Sequence, residues 1–107
     1  MLIGATGTIG SAVLKDLATR HDIVSVGRNS GDIHADIADQ EALREMYLKA
    51  GEFDAVLCAA GLAAFGSLTA LTDEDYQLGL ESKLMGQINL VRLGISLIAD
   101  AGSFTLT

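Results

Sequence analysis

Seven residues near the start, Gly4-Ala5-Thr6-Gly7-Thr8-Ile9-Gly10, limit the folds open to this chain more than any other segment. They follow the apolar run Leu2-Ile3 and precede Ile9, Val13 and Leu17, which recur every four residues as one face of a helix. Glycines between a strand and a helix allow a tight turn, close approach of the backbone to a ligand, and close helix packing. The helix N-terminus then presents free amide hydrogens and a partial positive charge, so a pyrophosphate can be held without a basic residue. A tight connection that binds nothing would use the same glycines. The flanking strand and amphipathic helix favour the phosphate reading. A P-loop would need a Lys before the hydroxyl residue at the helix start, and Gly10-Ser11 offers none.

The rest of the chain repeats the alternation. Ile23 to Val26 reads as a second strand and Ile33 to Ala35 as a brief third. Asp39 is placed to cap a helix whose Leu43, Met46, Tyr47 and Ala50 share a face, with Gly51 at its end. Asp54 to Ala59 is almost wholly apolar, as expected of a strand covered on both faces. Thr72 and Asp75 have capping-box spacing and open a helical region that is expected to run, with a break near Gly79, to about Asp100. Ser103 to Thr107 reads as a last strand. Strands alternating with helices predict an α/β fold with a doubly wound parallel sheet, strand order 3-2-1-4-5, and a ligand crevice at the strands' carboxyl ends. Residues 1–107 form one domain in this reading. The short Met1-Leu2-Ile3 run and the strand at the other end lead us to expect part of a longer chain, cut before the last strands of the sheet.

Charge narrows the partners. Seven Lys and Arg against fourteen Asp and Glu give a net charge of -7, which disfavours nucleic acid and acidic membrane surfaces and requires any bound anion to be held locally. No apolar run reaches the ~18 residues of a membrane span. The single cysteine, Cys58, has no internal partner, and there is no cationic start leading into a long apolar run, so a cytoplasmic setting is expected. Cys58 also ends an apolar strand with no His or Lys close in sequence, which marks a buried, inert thiol. His21 and His34 stand apart without metal-ligand spacing, and no metal is expected. In the long helical region Leu84, Ile88, Val91, Ile95 and Ile98 make one apolar stripe and Leu90, Leu93 and Leu97 a second, separated by a polar strip at Asn89, Arg92 and Ser96. Such a helix needs cover on two sides. A sheet supplies one; a homodimer through Leu84 to Ile98, or a later helix of the same chain, supplies the other.

Taken in order, the glycine loop, Asp36-Ile37, Ala60-Gly61 and the segment Lys83 to Leu90 resemble the short-chain dehydrogenase/reductase family, whose NAD(P)-binding unit is a Rossmann fold. The resemblance spans essentially the whole chain. The glycine spacing, Gly-x-x-Gly-x-x-Gly, is that of atypical and extended members. The resemblance implies cofactor contacts from Gly4, Thr6, Gly7, Thr8, Ile9 and Gly10. It also places Arg28 where the family's NAD-selective members carry an acidic residue after the second strand. With Asn29 and Ser30 as further donors, NADP(H) is favoured over NAD(H); a solvated surface arginine is the alternative. Asp36 and Ile37 match the pair that meets the adenine, and Ala59, Ala60 and Gly61 match the cofactor-lining segment after the fourth strand, where Cys58-Ala59 stands in place of Asn-Asn.

The family's catalytic Ser, Tyr and Lys lie beyond Thr107 by this resemblance, and neither Tyr47 nor Tyr76 has a Lys four residues on. Lys83 occupies the place of the family's helix Asn, either as a catalytic group or as an exposed lysine. The implied activity is hydride transfer between NADP(H) and a small carbonyl or alcohol. The alternative is a non-catalytic NADP(H) sensor, and a dimerisation partner that has lost the cofactor is a third reading.

Overall fold

The computed structural model describes residues 1–107. Strand β1 (Leu2–Ile3) leads through the glycine turn into helix α1 (Thr8–Leu17), followed by β2 (Ser25–Gly27), β3 (Ile33–His34), α2 (Gln40–Ala50) and β4 (Ala55–Cys58). Helix α3 (Asp73–Leu78) runs into a π-helical segment, Gly79–Met85, and then α4 (Gly86–Gly94); β5 (Ser103–Leu106) completes the set. All five strands are parallel, in the order β3-β2-β1-β4-β5, as the alternation predicts. Strand β1 sits in the middle, with Ile3 opposite Val26 on one side and Cys58 on the other. The order reverses between β1 and β4, which is where such sheets open a crevice at their carboxyl ends.

The core explains which residues form which element. Leu43 and Met46 of α2, Val26 of β2, Val56 of β4 and Leu90 of α4 are completely buried. Each such side chain contributes about 1.5–3 kcal/mol on leaving water. Tyr47 joins them, stacked on Phe53 with ring centroids 5.3 Å apart, and donates its hydroxyl to the carbonyl of Leu90 at 2.7 Å. Asp39 caps α2 as expected: its carboxylate accepts the amides of Glu41 at 2.9 Å and Ala42 at 3.2 Å. The Thr72–Asp75 capping box is present at the start of α3.

Several local expectations change. The second strand begins at Ser25 rather than Ile23, and the third ends at His34 rather than Ala35, because pairing with β1 and β2 covers only those residues. The long helix stops at Gly94 rather than near Asp100. There the chain turns, the amide of Ile98 bonds to the Gly94 carbonyl at 3.0 Å, and Ala99 donates to Phe53 at 3.0 Å, which swings β5 alongside β4. Gly79 does not break the helix; its backbone is helical, and the change at this point is to π geometry. Asn89, expected on a polar strip, is buried. The face turned to the core carries Gly86, Gln87, Asn89, Leu90 and Gly94, while Leu84, Ile88 and Ile95 are 52%, 43% and 62% exposed. Ile9 at the start of α1 is also exposed, so that helix is covered less than its apolar spacing implies.

Candidate functional site

Gly4 leaves β1 with φ +81°, a conformation open to glycine, and its amide bonds to Val26 at 2.7 Å. A β-carbon here would stand 2.9 Å from the Ala59 carbonyl group, and one on Gly10 would overlap the Gly4 carbonyl oxygen. The turn is therefore packed against β4 on one side and under α1 on the other, with no room for a side chain at either position. Gly7 is the N-cap of α1, and no side chain caps that end. The amides of the first turn are left for a ligand or water.

A cavity of about 340 Å³ opens beside this turn, at the carboxyl ends of β1, β2, β3 and β4. Gly4, Gly7, Arg28, Asp36, Ile37, Ala59, Ala60 and Gly61, all expected from the sequence, line it. Ile3, Gly27, Ala35, Leu62 and Ser82 also line it and were not singled out. Four of these adjoin expected residues, and a rule that walls are continuous along a strand end would have found them. Ser82 accepts the amide of Leu62 at 2.9 Å and so holds the loop after β4.

The remaining expected residues stand outside the lining. Thr8, Ile9 and Gly10 form the first turn of α1. The hydroxyls of Thr6 and Ser30 lie 3.0 Å apart, tying the glycine turn to the loop after β2, and Asn29 is exposed on that loop. Arg28 and Asp36 face each other, with a guanidinium nitrogen 3.9 Å from a carboxylate oxygen and both side chains about half exposed. The other Asp36 oxygen accepts the amide of Ala38 at 3.0 Å.

Lys83 does not line the cavity. Its ammonium lies 3.5 Å from the Ala60 carbonyl and 3.4 Å from the Thr107 hydroxyl, behind the loop that forms the wall. Gln87, one turn on and buried, donates to the same Ala60 carbonyl at 3.1 Å and to the Thr107 carbonyl at 2.7 Å. Sequence reading passed over Gln87, although its four-residue spacing from Lys83 puts both on one helix face. Lys83 lies within the π-helical segment and Gln87 just after it, and π geometry often accompanies functional sites. Cys58 is buried, its thiol 3.7 Å from the Ala60 carbonyl, and burial pushes its pKa up, which leaves it protonated and unreactive. Tyr47 is committed to the core and Tyr76 donates to the Leu68 carbonyl, so neither reaches the cavity.

The cradle suits a dinucleotide: a turn without side chains, an uncapped helix start, an apolar wall at Ile37 and Ala59, and Arg28 at the β2 end. Comparison with known proteins agrees. The model of the NAD dependent epimerase/dehydratase family matches residues 1–96. The protein lin1944 from Listeria innocua is similar in structure, with a TM-score of 0.92 and 47% identity over 96% of this chain and 52% of that one. A small-chain dehydrogenase solved in complex with NADPH has a TM-score of 0.85 and 26% identity, covering 98% of this chain and 48% of that one. A short-chain dehydrogenase/reductase from Serratia marcescens shares the fold at 21% identity and a TM-score of 0.79, over 96% of this chain and 53% of its own. The chain thus spans about half the length of these structures. No curated protein sequence matches it. Fold, glycine cradle and family match together place the chain in the NAD dependent epimerase/dehydratase family, as an NAD(P)-binding Rossmann unit of the short-chain dehydrogenase/reductase kind.

Proposed function

We propose that this chain is the cofactor-binding part of an NADP(H)-dependent oxidoreductase that interconverts a small carbonyl compound and an alcohol. The observation that carries the reading is the cavity at the β1/β4 switch point, walled by Gly4 and Gly7 and reached by Arg28. The amides of the first α1 turn would hold the pyrophosphate. Arg28, with Asn29 and Ser30 on the same loop, would receive the 2′-phosphate, and Asp36 and Ile37 the adenine. Ala59, Ala60 and Gly61 would border the nicotinamide half. The bound nicotinamide supplies hydride chemistry; the residues of this chain orient it and exclude water. Residues 1–107 act as one domain in this reading.

Calorimetric titration of the full-length protein with NADPH and with NADH tests the reading. Tight NADPH and weak NADH binding is expected, and binding of neither removes it. Arg28→Ala should weaken NADPH at least tenfold and NADH little, since a charge-assisted contact to phosphate is lost. Equal losses would refute the arginine's role.

A second reading, a sensor that binds NADP(H) without turnover, draws on Lys83. Its ammonium is directed at the Ala60 carbonyl and Thr107 instead of the cavity. As a catalytic group it would act at the edge between β4 and β5; as a structural one it only steadies the Ala60–Gly61 loop. Lys83→Met separates these: loss of turnover with NADPH affinity intact supports catalysis, and loss of affinity alone supports the loop role.

The exposed apolar face of Leu84, Ile88 and Ile95 supports a homodimer through this helix. No helix is long and apolar enough to cross a membrane, and with one buried cysteine the cytoplasm is the proposed setting.

A further inference from the structure

Two of the groups proposed to meet the cofactor's ribose phosphate already have partners elsewhere in the site. Ser30 shares its hydroxyl with Thr6 across two loops at 3.0 Å. Arg28, the cation at this end of the cavity, stands 3.9 Å from Asp36, and both line the cavity. Asp36 is held in place independently of Arg28, because its second oxygen accepts the Ala38 amide at 3.0 Å and its neighbour Ile37 is buried in the core. The carboxylate is therefore a fixed negative charge beside a long, half-exposed cationic side chain. A ligand phosphate arriving at Arg28 must share the guanidinium with that carboxylate and meets its repulsion.

Resting on the cofactor reading above, we propose that Asp36 is a specificity-determining residue, whose charge limits the preference for a phosphorylated over an unphosphorylated ribose. Arg28 alone would discriminate more strongly; paired with Asp36 it still favours the phosphorylated form, by a smaller margin. An interaction between charges a few ångströms apart at a water-exposed site alters a binding ratio by about fivefold. It also weakens with ionic strength, because exposed charges are screened.

The test uses two ligands that differ only at the relevant group, adenosine 2′,5′-bisphosphate and adenosine 5′-monophosphate. The adenine contacts of Asp36 are common to both and cancel in the ratio of their dissociation constants. Calorimetry on the full-length protein and on Asp36→Asn, which retains an oxygen for the Ala38 amide, is expected to show the ratio rising about fivefold toward the bisphosphate. Raising the salt concentration should shrink that difference. An unchanged ratio overturns the proposal. So does a falling one, since it would mean that Asp36 helps Arg28 reach the phosphate. If the unaltered protein binds neither ligand, the cofactor reading itself fails and takes the proposal with it; if it binds both and only the ratio fails to move, the cofactor reading stands.

Discussion

Two buried residues carry acids that the fold keeps neutral. Burial raises the pKa of the Tyr47 hydroxyl, with a smaller push from Cys58, and burial raises that of the Cys58 thiol. A folded-state value above the unfolded one means that the folded form retains its proton longer. The stability from these groups is thus complete below their unfolded values, about 8.5 for a thiol and about 10 for a phenol, and is lost as pH rises through the folded values. Urea midpoints measured from pH 7 to 11 should fall on the alkaline side, and Tyr47→Phe should flatten the upper part of the fall. That variant should also lose about 1 kcal/mol near neutrality, for the hydrogen bond to Leu90. The same burial predicts that iodoacetamide at pH 8 labels Cys58 slowly in the native protein and rapidly in urea. Equal rates in both would contradict an enclosed thiol.

Elements depend on single residues to different degrees. Helix α2 has a two-bond cap at Asp39, and Asp39→Ala should cost about 1 kcal/mol, read as a lower urea midpoint with cofactor affinity unchanged. The turn into α1 behaves differently. A methyl group on Gly10 would overlap the Gly4 carbonyl, so Gly10→Ala must push the helix away from β1. We expect it to cost about 1–3 kcal/mol and to abolish measurable NADPH binding as well, because the displaced helix carries the amides that would hold the pyrophosphate. A Gly10→Ala protein that binds NADPH normally would remove the helix start from the site.

On the scale of the whole molecule, the question is what covers the outer face of the π-helical segment and α4. Leu84, Ile88 and Ile95 stay exposed although the opposite face packs against Tyr47 of α2 and Ile37. Sedimentation of the full-length protein should give a dimer, and Ile88→Asp should yield a monomer that still binds NADPH. A monomeric unaltered protein would show that cover comes from the same chain. Strands β1 to β4 meet the cavity end-on and Leu84, Ile88 and Ile95 are not among its lining residues, so this outer helix face and the cofactor site are separate surfaces, and loss of one should leave the other.

Local chemistry determined much of this in advance. The glycine turn, the Asp39 cap, the Thr72–Asp75 box and the apolar β4 are each encoded within a few consecutive residues, so their elements and the sheet order could be read from spacing. The same holds for most of the cavity wall, since Gly4 and Arg28 directly follow a strand that ends at the crevice and Asp36 and Ala60 lie two residues past one. Contacts between distant segments were not legible. The long helix ends at Gly94 because Ile98 and Ala99 find partners in the core and at Phe53. Asn89 is buried because the π turn and Gly86 set which face meets the core. Lys83 and Gln87 converge on one carbonyl, and Arg28 meets Asp36, only after parallel pairing brings strand ends together. Periodicity specifies which residues share a face; the tertiary fold decides what that face touches, because packing energy depends on neighbours remote in sequence.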